Sequence, residues 1–194
     1  MFSYVGVQNL TLNSTDFVLK EIEESATTRY LPIIGPIKGK LLAGLVRKHK
    51  PKRVLEIGTN VGYSAILIAK ELKENASLIT LEIDADEVEV ARSNIKRALL
   101  KPSIRIVTGD ALDVLPKLEH EFDFVFIDAQ KHKYIEYLKL IENKLHEGSV
   151  LVADNVKMLA HEMRAYLNHV RKSGLYESKN IPIAGDAFEV SIRL

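Results

Sequence analysis

The chain has 194 residues, 46% of them hydrophobic, and its 27 lysine and arginine residues are nearly balanced by 26 aspartate and glutamate residues. This length and composition suit one folded domain and exclude a disordered chain, and the even charge gives no general reason to expect nucleic acid or an anionic membrane as partner. The chain contains no cysteine, which excludes disulfides, thiolate catalysis and thiolate zinc sites. Because the first residues lack a secretion signal and no apolar run approaches the ~18 residues of a membrane span, we expect a cytoplasmic protein without membrane contact.

Helices and strands follow one another in a regular order. Residues 14–28 predict a helix with a Ser/Thr cap, and residues 36–49 predict a second helix that begins at Pro36. Strands are then predicted at 53–58, 77–83, 104–109, 122–128 and 149–154, and they alternate with helices at 63–72, 85–99, 113–118, 133–145 and 161–173. Two final strands, at 175–183 and 187–194, are joined across "AGD".

The ends of the alternating strands carry carboxylates. Continuous apolar strands that alternate with helices indicate a parallel sheet covered on both faces, and ligands of such sheets bind beyond the carboxyl ends of the strands. Five acidic residues stand at or just past five strand ends, namely Glu56, Glu82, Asp110, Asp128 and Asp154. Helix capping explains any one of them, but we expect all five to gather along one edge of the sheet.

A glycine-containing loop follows the first predicted strand, in "VLEIGTNVGYSA". Gly58 permits a tight turn and a close approach of a ligand to the backbone, and the amides of the next helix would face that ligand. Asn60 occupies the middle position of the dinucleotide pattern G-x-G-x-x-G, which argues against a pyrophosphate on this loop. Glu82 ends the second strand at the place of a ribose-binding acid, although a surface glutamate is the simpler interpretation.

Five stretches, in this order, resemble one family: "GPIKGKLL" leading into "KPKRVLEIGTNVGYSA", then "LITLEID", "TGDALDVLPKL", "FIDAQKHKY" and "LVADNV". The chain resembles class I S-adenosylmethionine-dependent methyltransferases, and more closely the metal-dependent O-methyltransferases that include catechol O-methyltransferase and the caffeoyl-CoA enzymes. The resemblance implies an α/β fold with a Rossmann-like, doubly wound, seven-stranded sheet. The sheet would be mostly parallel with an antiparallel last strand and have helices on both faces. It also implies a single methyltransferase domain over residues 1–194, in which helices within 1–50 cover the site and 51–194 form the core.

The resemblance implies a cofactor site for S-adenosylmethionine. Glu56 and the Gly58 backbone would face the methionine part, with Tyr63 and Ser64 near its carboxylate and Ile34 at its end. Glu82 would accept hydrogen bonds from both ribose hydroxyls. The remaining cofactor-binding residues that the resemblance implies are Asp110 and Ala111 beside the adenine, and Asp128.

The resemblance also implies a metal site. Asp128, Asp154 and Asn155 would supply three oxygens to Mg²⁺ or another hard divalent cation, which keeps positions for substrate oxygens. Lys131 would be the catalytic base that removes the proton of the acceptor hydroxyl. The simpler interpretations remain open: a solvated lysine at a helix start, and an ordinary strand-end turn at the Asp-Asn pair.

The chain departs from the family pattern at several positions. Gln130 replaces an aspartate that many bacterial relatives carry, and Ala187 stands where relatives often have glycine. The chain also has no tryptophan, so an aromatic clamp like that of the catechol enzyme is doubtful. Tyr30, Tyr134 and Phe188 are the aromatic candidates for lining the pocket.

The predicted activity is metal-dependent O-methylation of a vicinal diphenol or a similar small chelating hydroxyl compound. One alternative is methylation of a modified wobble uridine in transfer RNA, because the basic runs at 47–53 and 131–133 could contact phosphates. A solvated helix end explains the first run equally well. Another alternative is a module that binds S-adenosylmethionine without catalysis. Since members of the family are often dimers, we expect a homodimer.

Overall fold

The computed structural model describes residues 14–29 and 31–194. The helices in this part of the chain are α1 (Ser14–Thr28), α2 (Gly35–His49), α3 (Tyr63–Glu71), α4 (Ala85–Arg97), α5 (Ala111–Val114), α6 (Tyr134–Ile141) and α7 (Arg164–Lys172). Short 3-10 turns follow α5 at Leu115–Lys117 and flank α6 at Lys131–Lys133 and Glu142–Lys144. The predicted order of helices is confirmed.

The seven strands form one sheet. They are β1 (Arg53–Ile57), β2 (Ser77–Glu82), β3 (Ser103–Thr108), β4 (Phe122–Ile127), β5 (Leu145–Ala153), β6 (Tyr176–Ile183) and β7 (Asp186–Arg193). Their order across the sheet is β3-β2-β1-β4-β5-β7-β6. The first five strands pair in parallel, and β7 lies antiparallel to both β5 and β6. The predicted doubly wound sheet with an antiparallel last strand is confirmed.

The central strands bury both of their faces, which is why their sequences are continuously apolar. In β4, Phe124 and Phe126 pack into a core shared with α2 and α3, while Val125 and Ile127 pack into a core shared with α6 and α7. Successive strand residues point to opposite faces of a sheet, so a strand with helices on both sides has no solvent-facing position.

The two N-terminal helices cover one end of this sandwich. Helix α1 packs on α3 through Val18, Leu19 and Ile22, and the Thr15 hydroxyl donates to the carbonyl of Ala98 at 2.8 Å. Helix α2 packs on α3, and its first turn reaches the carboxyl edge of the sheet. The remainder of the predicted covering region, residues 1–13 and Tyr30, lies outside the described residues. No helix within 14–29 and 31–194 is long and apolar enough to cross a membrane.

Two predicted elements begin three or more residues away from their predicted start. Helix α7 begins at Arg164, three residues later than the predicted start at 161. In the segment before it, the backbone N–H groups of Lys157 and Met158 donate to the Asp186 carboxylate at 3.1 and 2.9 Å. This side chain from β7 holds the preceding segment in turns. Strand β5 begins at Leu145 rather than at the predicted residue 149, because its early part pairs with Phe122 before a register shift.

Candidate active site

A cavity of about 300 Å³ opens at the carboxyl ends of the parallel strands. It lies where the strand order reverses, because β1 continues to β2 on one side and pairs with β4 on the other. The loops after β1, β2, β3 and β4 and the segment 32–34 line it, and a volume of this size suits a small ligand. The predicted site residues in its wall are Ile34, Gly58, Tyr63, Ser64, Glu82, Asp110, Ala111, Asp128 and Lys131.

Gly58 lets the ends of β1 and β4 approach each other. Its φ is +102°, and a Cβ added there would lie 2.1 Å from the carbonyl oxygen of Asp128. The Asp128 N–H donates to the carbonyl of Ile57 at 2.9 Å in the same region. The sequence prediction explained this glycine by a turn and by a ligand. The structure adds a steric reason: any side chain at position 58 would clash with the backbone at the end of the neighbouring strand β4.

Glu82 is held by backbone amides. Its Oε2 accepts a hydrogen bond from the N–H of Asn60 at 2.7 Å, and its Oε1 accepts from Ile83 and Asp84 at 2.8 and 3.1 Å. Asn60 has a φ of +47°, and its side chain donates to Glu87 at 3.0 Å. The residue in the middle glycine position therefore organises two acids that line the cavity.

Asp110 has two roles in the structure. It is the N-cap of α5, accepting from the N–H of Leu112 at 2.9 Å, so the capping interpretation is correct for this residue. It also lines the cavity and accepts from Lys133 Nζ at 3.2 Å. The Leu112 hydrogen bond and the Lys133 charge hold the pKa of Asp110 below its usual value. The N-caps of α3 and α4 are Gly62 and Asp84. Helix capping therefore does not explain the acids Glu56 and Glu82, which stand at the ends of the preceding strands.

Glu56 lies beneath the cavity rather than in its wall. It is 0% exposed, and Thr80 Oγ1 donates to its Oε2 at 2.5 Å. Its Oε1 is buried and has no hydrogen-bond partner among the described residues. Burial raises the pKa of Glu56 to about 8, against the lowering by nearby hydroxyls of Ser64 and Thr80. A buried oxygen without a donor is costly and marks a place where a cation or donor would be favourable.

Tyr63 reaches away from the cavity with its polar end. Its hydroxyl donates to Glu23 on α1 at 2.5 Å, which attaches that helix to the start of α3. Tyr63 and Ser64 both line the cavity. Tyr63 thus lies at the cavity with its hydroxyl engaged by α1, and its place near the carboxylate of the cofactor stays a prediction.

Lysine side chains hold the carboxylates after β4 and β5. Lys131 Nζ donates to Asp128 Oδ1 at 2.6 Å and lies 5.6 Å from the centre of the Tyr134 ring. The Lys131 side chain is 16% exposed, so the interpretation as a solvated helix-start lysine is wrong. Lys38 Nζ donates to Asp154 Oδ1 at 2.5 Å, and that oxygen also accepts from the N–H of Asn155.

Lys38 connects Asp154 to another carboxylate, Asp186. The distance from Lys38 Nζ to Asp186 Oδ2 is 2.8 Å, and Lys38 is only 7% exposed. Burial alone would lower the pKa of Lys38, but the two carboxylates outweigh it and raise the pKa. Burial and the Asp128 charge raise the pKa of Asp154 to about 6, against the effect of Lys38.

Asn155 and Asp186 form the far side of this cluster. Asn155 has a φ of +62°, and its Nδ2 donates to Asp186 Oδ2 at 2.9 Å. Asp186 is buried, but the Lys38 ammonium and several N–H donors outweigh its desolvation and lower the pKa of Asp186 to about 2. The Asn155 amide therefore donates to a carboxylate whose surroundings favour its ionised form.

The predicted metal ligands have free oxygens of the kind that a hard divalent cation prefers. Asp128, Asp154 and Asn155 each keep one side-chain oxygen that accepts no hydrogen bond from residues 14–29 or 31–194. Two carboxylates and an amide carbonyl match the preference of hard divalent cations. Among the same residues, no group of three His, Cys, Asp or Glu side chains forms a candidate metal site, and the third oxygen proposed here comes from an amide. The donor set is compatible with Mg²⁺.

Sequence reasoning missed Lys38 and Asp186. Lys38 lies four residues before Leu42 and eight before Val46, on the buried side of α2, and a lysine at such a core position is a usable signal. Asp186 was read only as part of a turn between two strands, and no local pattern distinguishes it from a turn aspartate.

The aromatic predictions were wrong for two residues. Tyr134 and Phe188 are fully buried beneath the site, and Tyr137 lines the cavity instead. Tyr30 lies outside the described residues. Gln130 lies in the cavity wall, and Ala187 is buried in β7.

Comparison with known proteins places this site in a family. A family model described as O-methyltransferase matches residues 10–173. The chain belongs to the O-methyltransferase family. A curated member, catechol O-methyltransferase of Niastella koreensis, is 43% identical over 127 residues, which are 63% of this chain and 58% of that relative. Another, catechol O-methyltransferase of Sus scrofa, is 32% identical over 151 residues, which are 74% of this chain and 80% of that relative.

A solved structure of the family shares the whole fold. The O-methyltransferase from Bacillus cereus, in complex with SAH, superimposes with a TM-score of 0.83 at 27% identity and covers 97% of this chain and 94% of its own. The predicted family and fold are confirmed. No finding supports the transfer RNA alternative, and two residues of the basic run at 47–53 are paired with acids: Arg47 with Glu71 at 2.6 Å, and Arg53 with Glu121 at 3.8 Å.

Proposed function

We propose that the chain transfers a methyl group from S-adenosylmethionine to a hydroxyl of a vicinal diphenol or similar small chelating compound, with Mg²⁺ or another hard divalent cation. The observation that carries the proposal is the arrangement of acids around one cavity. On one side of the cavity, backbone N–H groups hold the Glu82 carboxylate. On the other side, Asp128 lines the cavity and belongs with Asp154 and Asn155 to the set of oxygens proposed for the cation. Both reactants of such a transfer could be held within one enclosure.

The cofactor would lie across the loops after β1, β2 and β3. The Glu82 carboxylate already has its three backbone donors and retains lone pairs for the two ribose hydroxyls. Asp110 and Ala111 would border the adenine, and Ile34 the methionine end. Gly58 and Ser64 line the same cavity, and the Gly58 backbone lies against that of Asp128, so the methionine part would bring its methyl group towards the acceptor here.

Glu56 would complement the positive charge of the cofactor. Its partners among the described residues are hydroxyl groups, so no ammonium of the protein neutralises it. A ligand that carries an ammonium and a sulfonium would supply that charge from the other side of Ser64. Glu56 thus acts at short range without forming the cavity wall.

The cation would be held by Asp128, Asp154 and Asn155 through the oxygens that accept no protein hydrogen bond. When bound, it would orient two oxygens of the acceptor and lower the pKa of the hydroxyl to be methylated. Neighbouring groups hold these ligands in place. Lys38 and the Asn155 N–H bind Asp154, and Lys131 binds Asp128.

Lys131 would accept the acceptor's proton at Nζ after its own ammonium, which pairs with Asp128 in the unliganded chain, has released a proton to solvent on binding of the cation. Its side chain lines the cavity and is held between Asp128 and the Tyr134 ring, so Nζ can act without a large movement. The acceptor oxygen then attacks the sulfonium methyl in line. An anion and a sulfonium become two neutral products, a reaction that a dry enclosure favours.

Three broader features are part of the proposal. Residues 1–50 would cover the site of a single domain, supported by the segment 32–34 in the cavity wall and by Lys38 in the acid cluster. A homodimer remains a prediction, which light scattering would test. A cytoplasmic location remains a prediction as well, which fractionation of the source cells would test.

The test is methyl transfer from labelled S-adenosylmethionine to caffeic acid, a simple catechol, a monophenol and bulk transfer RNA, each with Mg²⁺ and with a chelator. We expect transfer to the diphenols, and its loss with the chelator. Transfer that survives chelation would overturn the roles given to Asp128, Asp154 and Asn155. Transfer to RNA alone would overturn the acceptor class, and no transfer to any acceptor, with cofactor still bound, would favour a binding module.

A further inference from the structure

We propose that Asp186 is a positioning residue of the cation site, because it determines which atom of the Asn155 amide faces the cation. This inference rests on the proposed function, since it concerns the same cation. Asp186 belongs to none of the sequence motifs and lies at the start of β7, outside the loops that carry the predicted ligands.

An asparagine ligand has an orientation problem that an aspartate ligand does not have. The side-chain amide has one oxygen that can bind a cation and one nitrogen that cannot. Both orientations fill the same space, so a neighbouring group must select one. In this structure Asp186 Oδ2 accepts from Asn155 Nδ2 at 2.9 Å. An ionised carboxylate only accepts, so the reverse orientation would set the amide oxygen against it.

Asp186 is itself rigidly placed. Its Oδ1 accepts from the N–H groups of Lys157 and Met158, and its Oδ2 also accepts from Lys38 at 2.8 Å. It is 1% exposed. The carboxylate therefore joins β7 to the turn that begins at Asn155, and the turn cannot rotate the amide without breaking these contacts.

Lys38 makes this arrangement electrostatically possible. Asp128, Asp154 and Asp186 bring three negative charges together, and Lys38 and Lys131 contribute two positive charges, which leaves one net negative charge. Lys38 bridges the two buried carboxylates and engages only Oδ1 of Asp154. The cluster thus keeps its acids together and retains attraction for a cation.

A purely structural role for Asp186 is the competing explanation, and the chain offers a matched control for it. Asp123 also accepts from two backbone N–H groups, those of Lys52 and Arg53, both at 2.7 Å. It lies at the opposite edge of the sheet, near the start of β1. Asp186→Asn and Asp123→Asn remove the same charge and keep the same kind of acceptor oxygen for the backbone, but only the first should affect the cation.

The experiment measures the Kd of Mn²⁺ for the full chain by electron paramagnetic resonance, without methyl acceptor, and the Kd of S-adenosylhomocysteine as a check of the folded site. We expect D186N to weaken Mn²⁺ binding by about 10- to 100-fold, the usual effect of losing a partner of a metal ligand. D123N should leave it unchanged. The swap Asp186→Asn with Asn155→Asp should recover most of the loss, because a carboxylate at 155 presents an oxygen in either orientation and the total charge is conserved.

The outcomes separate the inference from the function on which it rests. Unchanged Mn²⁺ affinity in D186N, an equal loss in D123N, or no recovery in the swap would each overturn the role of Asp186 while the cation site stands. If D186N alone fails to bind S-adenosylhomocysteine, the folded swap variant decides by its Mn²⁺ affinity. Failure of the unmodified chain to bind Mn²⁺ would overturn the cation part of the proposed function, and this inference with it.

Discussion

The two sides of the cavity hold their carboxylates by different means. On the side of β2, backbone N–H groups of Asn60, Ile83 and Asp84 bind Glu82. On the side of β4 and β5, the holding groups are the lysine ammonium groups described above, with Nζ-to-oxygen distances of 2.5 to 2.8 Å. Among the described residues, backbone N–H groups alone hold Glu82, whereas Asp154 and Asp186 on the second side are held by a lysine charge in addition to backbone N–H groups.

This difference indicates what each side can bind. Backbone N–H groups are fixed by the fold. They therefore hold the Glu82 carboxylate in one position, where it can accept from neutral partners such as hydroxyl groups. A lysine side chain can shift by rotation about its own bonds, so it can yield or share a carboxylate when another cation arrives. We therefore expect cofactor binding and cation binding to respond to separate sets of substitutions.

The largest expected effect is on the lysine-held side. Asp154→Asn removes a charge from the proposed cation site, and we expect methyl transfer at saturating cofactor to fall by about 10³- to 10⁴-fold, since a cation contributes several kcal/mol to such a step. The Kd of S-adenosylhomocysteine should stay within about twofold, because the two sides share no partner. Steady-state kinetics and calorimetry would measure both.

Asp113→Asn, on the exposed side of α5, is the control and should change neither quantity. A parallel loss of S-adenosylhomocysteine affinity in D154N would break the separation of the two sides. Unchanged methyl transfer would remove Asp154 from the mechanism.

Two lysines of one turn provide a sharper comparison. Lys131 contacts Asp128, beside the proposed cation site, whereas Lys133 contacts Asp110, beside the proposed place of the adenine. Lys131→Met should lower kcat by about 10²- to 10³-fold, as expected for loss of a general base. Lys133→Met should instead raise the KM for S-adenosylmethionine by a few-fold, about the value of a partly exposed ion pair. Equal effects of both substitutions on kcat would contradict the assignment of Lys131 as the base.

The fold and the positions of the strand-end acids could be predicted from the sequence, because both follow from local patterns. Continuous apolar strands between helices specify the parallel sheet, and a polar residue at a strand end must lie at its carboxyl edge. Glu82 and Asp128 were therefore placed correctly before their partners were known. The boundaries of α7 and β5 were not, because Asp186 and a register shift determine them from a distance.

The cation side could be read only in part. Asp154 and Asn155 end a strand, but the groups that hold them come from α2 and β7, which are 116 and 31 residues away along the chain. Pairings at such separations depend on how layers pack and leave no spacing to detect. The burial of Glu56, with one oxygen unpaired, is a further consequence of packing that its place in a motif does not reveal.

The backbone-held side makes its own prediction, of intermediate size. Glu82→Gln should weaken S-adenosylhomocysteine binding by about 30- to 100-fold, because two hydrogen bonds to a charged acceptor are replaced and an amide group meets donors. Mn²⁺ affinity should not change. Glu89→Gln on the exposed face of α4 is the control. Loss of Mn²⁺ binding in E82Q would show that the two sides are coupled, which would break the comparison.

The smallest expected effect concerns Glu56, which neither backbone amides nor a lysine neutralises. Folding raises the pKa of Glu56 from its ordinary 4.5 to about 8, so the native state binds its proton more tightly than the unfolded chain does. The stability that this proton contributes is present below pH 4.5 and is lost as the pH rises to 8. Glu56→Gln does not titrate, so at pH 8 we expect it to be more stable than the unmodified chain by about 1–2 kcal/mol.

The measurement is the free energy of unfolding of the unliganded chain between pH 5 and pH 9, with Glu121→Gln as a control whose side chain is 61% exposed. The advantage of E56Q should grow with pH and level off above the pKa of Glu56, whereas E121Q should follow the unmodified chain throughout. E56Q should also weaken the binding of S-adenosylmethionine more than that of S-adenosylhomocysteine, because both carry the ammonium but only the former carries the sulfonium. A pH-independent difference would mean that Glu56 is neutralised by a group other than its proton. Equal weakening of both ligands would assign Glu56 to packing beneath the cavity rather than to the charge of the cofactor.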